Sequence, residues 1–455
     1  MGVDLKHYSR EENKLKKSLS SLIRYFLHSL LVLSLSAPLI ILLAALQTAP
    51  TILENEPLTM REVSTVENLI LNMAPEAPGE SSIMGLSLDI SEINLLIRYS
   101  LRLTGLSEKW NARLAAKENS VISTINWNLL SGWLPVYMNV NSTFLNEDGQ
   151  LHLSQLTIGK IKVPENWIAW FEEVVRTNLL TSSSAYQMFG QIREKVSVKS
   201  ITDSKVQIEM QWEPELVLQI SDQVQRLLIS SEDQERIIKQ YLLINDIVTT
   251  LPSDTRAISL TALLAPMFDA AYKNSIANDD PIGENRALFQ TLAIYVNNDE
   301  ISKLIEESDA RNIPKAKFIE VRLLRRQDLA QHVASIAAIS VSLGPELAEL
   351  VSTTKETYDA RYRSGFSFSD LTANKVGLAL AGLAIKNRGS AFELQRRLAN
   401  IETEADLIPE VGSNRDGISE SDFNAIYADR SSAEYMKRIN EIKIAIESKP
   451  IFQGL

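Results

Sequence analysis

Three short stretches of this chain carry residue types that could do chemistry together. Asp328-Leu-Ala-Gln-His332 sets a carboxylate and an imidazole four residues apart, on one face of a helix. Lys355-Glu356-Thr-Tyr-Asp359 sets two more carboxylates on one face. Phe366-Ser-Phe-Ser-Asp370-Leu-Thr-Ala-Asn374-Lys-Val-Gly377 reads as a helix start. In it Ser369 or Asp370 is the natural cap, Asp370 and Asn374 lie one turn apart, and Gly377 leaves room for a second helix. An imidazole oriented by a carboxylate is a general base, which makes His332, Glu356 and Asp359 candidate catalytic residues. Asp328, His332, Glu356, Asp359 and Asp370 together are a candidate metal site for a divalent cation such as Mg²⁺, Mn²⁺ or Ca²⁺. The same side chains also read as a structural network in which His332 bonds acids and caps satisfy helix ends. Spacing alone leaves both open.

The rest of the composition narrows the chemistry. The other histidines, His7, His28 and His152, form no pair with ligand spacing, so a zinc site of several histidines is not expected. There is no cysteine, which excludes disulfides, thiolate metal sites and a cysteine nucleophile. A net charge of −11 argues against nucleic acid as the main partner. Neither a Gly-rich phosphate loop nor the G-x-S-x-G or H-E-x-x-H pattern occurs.

The three motifs need three helices to present them, and helical spacing of apolar residues supplies them at 328–343, 345–362 and 369–385. Short connections at Gly344-Pro345 and between Tyr362 and Phe368 favour antiparallel neighbours, which would bring the five polar side chains together. The 3.6 period begins near Glu215 and runs nearly to the end, so 214–455 is read as a large all-α domain. Before it, strict alternation predicts strands at 121–127, 137–144, 151–158, 194–202 and 205–212. With a helix opening at Asp89 and Glu92, the region 86–213 is read as an α+β domain with an antiparallel sheet.

The chain between Tyr25 and Leu53 has no charged residue, and about 20 apolar residues are enough to span a bilayer. The reading is a cytoplasmic tail over 1–24, a transmembrane helix over 25–48, and a linker over 49–85 with one short helix around Met60 to Met73. Lys6, Arg10, Lys14, Lys16, Lys17 and Arg24 precede the apolar run, while Glu54, Glu56 and Glu62 follow it. The positive-inside rule then gives a single-pass inner-membrane protein, amino terminus cytoplasmic and bulk periplasmic. The alternative is a cleaved signal peptide, with the cut near Ala44-Ala45 or Thr48-Ala49.

The order D-x-x-x-H, K-E-x-x-D and F-S-x-x-D-L resembles the YfiM-like envelope proteins and, more loosely, VanZ-like membrane proteins. Glu284-Asn-Arg-Ala287 upstream belongs to the same pattern. This chain departs from it with Asn374 where relatives favour Asp, and Val333 where they carry Phe. The helix start at 88–94, with the stretch from Leu156 through Gly159 to Trp167, Trp170 and Phe171, resembles extracytoplasmic domains of the YpmS-like type. That resemblance implies a curved sheet and long helix suited to an apolar ligand; the alternative is that these tryptophans pack the domain's own core. The functional expectation is a membrane-anchored periplasmic protein of cell-envelope biogenesis or maintenance that binds a partner protein or an envelope lipid or glycan. An enzyme acting on an envelope glycan or lipid-linked substrate through His332 and nearby carboxylates is one alternative. A structural subunit of an envelope machine is another.

Overall fold

A computed structural model describes residues 36, 41–52, 58–75, 77, 79–103, 106–130, 135–174, 190–191, 193–214, 229–412, 414–430 and 432–454. The expected tail over 1–24 and most of the apolar segment over 25–48 lie outside the described residues. Among those that are described, no helix is long and apolar enough to cross a membrane. Helices and an antiparallel sheet make up the fold, as the α+β reading anticipates. The chain divides into two compact units.

The first unit comprises residues 1–55, 107–174 and 200–205. Its sheet is a meander of β3 (Trp110–Lys117), β4 (Ser120–Leu130), β5 (Val136–Glu147), β6 (Gln150–Ile158) and β7 (Ile161–Lys162). The β5–β6 turn is Asp148-Gly149, both at positive φ, the backbone a two-residue hairpin demands. Strand β6 pairs with β5 only from Val140 onward, and β1 (Leu46–Gln47) takes the same strand at Tyr137 and Met138. Two buried asparagines hold the incoming chain there. Asn126 Nδ2 donates to the Ile52 carbonyl and Asn139 Nδ2 to the Ala49 carbonyl, both at 2.9 Å, and Asn139 also donates to Gln47. At the β6–β7 turn the Lys160 N–H donates to the Ala44 carbonyl at 2.9 Å. Gly159 in that turn has φ +59°, and a Cβ on it would lie 2.3 Å from the Ala45 carbonyl oxygen, so only glycine fits. Residues 44–52, expected as the end of a span and the start of a linker, are thus stitched to the sheet.

Helix α3 (Glu165–Val174) follows β7. It buries Ile168, whereas Trp167 and Trp170 are each 64% exposed. The expectation that these tryptophans pack the core is corrected: positions 167 and 170 share a helix face, and it is the face opposite the buried Ile168.

The second unit comprises 56–106, 175–199 and 206–455. It includes most of a three-stranded sheet in the order β2 (Ser82–Asp89), β9 (Lys205–Trp212), β8 (Val196–Ile201). It also includes α1 (Met60–Asn72), close to the short helix expected in the linker, and α2 (Ile90–Leu103). The division therefore does not fall at residue 214. Apolar faces of α1 and α2 pack on the later helices, with Val66 and Tyr99 clustered around Leu350, and Arg430 forms an ion pair with Glu67. Strand β2 escaped the sequence reading although Met84, Leu86 and Leu88 alternate, because the run is short and leads straight into the helix start at Asp89.

The helical part begins with α4 (Ser231–Thr250), α5 (Thr261–Asn278) and α6 (Pro281–Val296). Next come α7 (Gln327–Leu343), α8 (Pro345–Tyr362), α9 (Phe368–Ile385) and α10 (Arg388–Ala399), then α11 (Glu420–Tyr427) and α12 (Ala433–Glu447). One parallel pair of three-residue strands, β10 (Ala257–Ser259) and β11 (Glu320–Arg322), lies among them. Phe268, Phe289, Phe366 and Phe368 are fully enclosed in the main core. Helices α7 and α9 cross closely at Gly377, where an added Cβ would come within 2.6 Å of the Val333 carbonyl oxygen.

Candidate functional site

The site is built where α7, α8 and α9 meet. A tight turn precedes α7: Leu324 and Arg325 both take positive φ, and Leu323 and Arg326 exchange backbone hydrogen bonds of 2.8 and 3.0 Å. The turn delivers Arg326 to the first residue before the helix. Its guanidinium reaches Asp328 at 2.5 Å, Asp370 at 3.1 Å and Asp416 at 2.9 Å. One turn further along, His332 places Nε2 3.4 Å from Asp370 Oδ2 and Nδ1 2.9 Å from Asn374 Oδ1.

Helix α9 is capped by Ser367, whose Oγ accepts from the Asp370 N–H at 3.0 Å; the expected caps Ser369 and Asp370 lie inside the helix. Asp416 Oδ1 accepts from Ser367 Oγ at 2.9 Å and from the Ser369 N–H at 3.0 Å, fixing this helix start. From α8, Asp359 is taken up by Lys355 at 2.8 Å. Glu356 is only 1% exposed, and its Oε2 accepts from the Ser367 N–H at 3.3 Å. Among the described residues its Oε1 has no hydrogen-bond partner; the Lys355 ammonium stands 3.8 Å away.

Of the five candidate ligands, the structure groups three. His332, Glu356 and Asp370 each offer a ligand atom, all within 4.8 Å of one another. Asp328 and Asp359 belong to the same cluster, but a cation of the chain itself occupies each carboxylate, Arg326 for the first and Lys355 for the second. Arg326 and Asp416 were not foreseen. Arg326 lies two residues ahead of the Asp328 motif, outside its helical spacing, and Asp416 is 90 residues beyond Arg326.

Electrostatics follow from these contacts. Burial drives the Glu356 carboxyl up to about 7; Lys355 pulls it back, and the Asp370 charge adds to the rise. Burial disfavours the His332 imidazolium, but Asp370 outweighs it and the net shift is upward. Burial likewise opposes the charge on Asp328, and Arg326 overcomes it, holding that carboxyl low. For Asp416, burial is outweighed by hydrogen bonds from Ser369, Arg326 and Ser367, and its carboxyl is lowered too.

One imidazole and two carboxylates form a ligand set for a hard divalent cation, with positions left over for water or an anionic ligand. Metal-binding histidines commonly use the second ring nitrogen to bond an orienting group, and the Asn374 carboxamide fits that part for Nδ1. As a neutral group, Asn374 orients the ring without adding charge. No family model, curated protein or solved structure matches the chain.

Proposed function

We propose that this chain is a membrane-anchored periplasmic protein of cell-envelope biogenesis or maintenance that binds an anionic envelope component through a divalent cation held by His332, Glu356 and Asp370. The observation that carries the cation is Glu356 Oε1, a buried carboxylate oxygen without a hydrogen bond, grouped with ligand atoms of His332 and Asp370. A buried carboxylate oxygen with no hydrogen bond and only the Lys355 ammonium 3.8 Å away is incompletely compensated, and a cation relieves that cost. The anchor rests on the charge-free run from Tyr25 to Leu53 and its basic flank. Equilibrium dialysis of the purified full chain against Mn²⁺ tests the site. One cation per chain is expected, with affinity falling about tenfold or more in Glu356→Gln and in His332→Ala, the range seen for ligand-shell changes. Unchanged binding in both variants, or none in the parent, overturns the proposal.

A second reading, an enzyme acting on an envelope glycan or lipid-linked substrate, draws on the paired titrations. A carboxyl pushed up to about 7 beside an imidazole shifted upward gives a proton donor and acceptor near neutral pH. Under this reading activity follows a bell-shaped pH profile and survives chelation.

A further inference from the structure

We infer that α3 seats the first unit on the membrane, with Trp167 and Trp170 lodged in the lipid headgroup region. This rests on reading the apolar run ahead of Ala44, the part of the expected span not stitched to the sheet, as a bilayer anchor. Helix α3 is inverted for a soluble surface helix: its buried residue is Ile168, and its two largest side chains face outward at 64% exposure. Paired tryptophans on an outer face are unfavourable in water. They are at home at a membrane interface, where the ring body meets lipid and the indole N–H meets water or headgroups.

What makes a bilayer the occupant is the way the apolar run is fastened to the same sheet. Ile41, Leu42 and Leu43 are exposed at the end of that run, and Ala44, two residues before β1, is gripped by the N–H of Lys160, the residue just ahead of β7. Trp167 lies seven positions past Lys160, so at most about 25 Å of extended chain lies between the grip and the tryptophan. That is less than the thickness of a bilayer with its headgroups, about 40–45 Å. The asparagines Asn126 and Asn139 pin residues 47–52 to the sheet, so no free tether carries the sheet away from the lipid.

The test uses the full chain reconstituted in phosphatidylcholine–phosphatidylglycerol vesicles, with and without lipids brominated near the headgroup. Vesicle flotation after an alkaline wash reads the anchor, and bromine quenching of tryptophan emission reads the seating. The chain has six tryptophans, so Trp167→Phe/Trp170→Phe leaves four as an internal reference. Flotation should persist in the double variant while shallow quenching falls about threefold or more, as expected if these two rings form the interfacial belt. A chain that floats but is quenched equally with and without the two tryptophans overturns the seating and leaves the anchor standing; a partner protein would then be what covers them. A chain that washes off the vesicles overturns the anchor, and the seating with it.

Discussion

Replacing Glu356 by Gln should change how stability depends on pH more than it changes the fold. The Glu356 carboxyl rises from its ordinary 4.5 to about 7 on folding. Between those values the folded chain holds a proton that the unfolded chain releases. Its contribution to stability is therefore complete below pH 4.5 and declines as pH rises, the decline ending above about 7. Between pH 5 and pH 8 the loss is about 2–3 kcal/mol by the linkage relation. His332, raised above 6.5, acts in the same direction: its share is present at low pH and lost as pH climbs through the folded value. Asp328 and Asp416 are lowered from 3.8, so their stabilisation is lost only in acid, below this window. Gln keeps an oxygen to accept from the Ser367 N–H and removes the titration. Urea unfolding at pH 5, 6, 7 and 8, followed by circular dichroism, measures the difference. With a urea slope of about 2–3 kcal/mol/M, the parent midpoint should fall about 1 M further than that of Glu356→Gln across this range. Parallel pH dependences in the two proteins would refute the reasoning.

Three further outcomes follow from the same geometry. Asp370→Asn removes the charge that holds the His332 imidazolium and leaves burial and the Lys355 charge, both lowering, against the weaker pull of Glu356, so an NMR titration should find its pKa below 6.5; a value still above that removes Asp370 as the cause. Gly377→Val drives a side chain against the Val333 carbonyl and should cost about 1–3 kcal/mol by thermal unfolding. Gly382→Ala in the same helix meets nothing within 4 Å and should be neutral or slightly stabilising. Mn²⁺ at 100 times the parent's dissociation constant should stabilise the parent by about 2.7 kcal/mol and His332→Ala by no more than about 1.4 kcal/mol; equal stabilisation of both places the cation elsewhere.

The convergence of His332, Glu356 and Asp370 was legible because each motif obeys a helical spacing and the turns between the helices are short. Gly377 was legible for the same reason: a glycine within an apolar helical run points to a close crossing, and α7 supplies it. Arg326 and Asp416 were not, since their pairing is made by a left-handed turn at Leu324-Arg325 and by a loop far along the chain, which no local period encodes. The exposed tryptophans of α3 were misread because sequence hydrophobicity gives the preference for leaving water but not the destination. In the first half, long strands with full alternation were readable. Strand β3, with Ala112, Leu114 and Ala116 as its weak apolar set, was not, and neither were β10 and β11, which are three residues each.

The ion pair between Glu67 and Arg430 joins residues 363 positions apart. A ribosome adding about 5–20 residues per second separates their synthesis by about 20–70 s. Over that interval the sheet of the first unit, whose last strand ends at Lys162, has every segment it needs. Helices α1 and α2 do not: Val66 and Tyr99 wait for Leu350, and Glu67 waits for Arg430. The two units thus mature on different schedules, and the second spends the longer time with apolar helix faces uncovered. A truncation just ahead of Leu350 would prolong that exposure indefinitely while leaving the first unit's sheet to form as before.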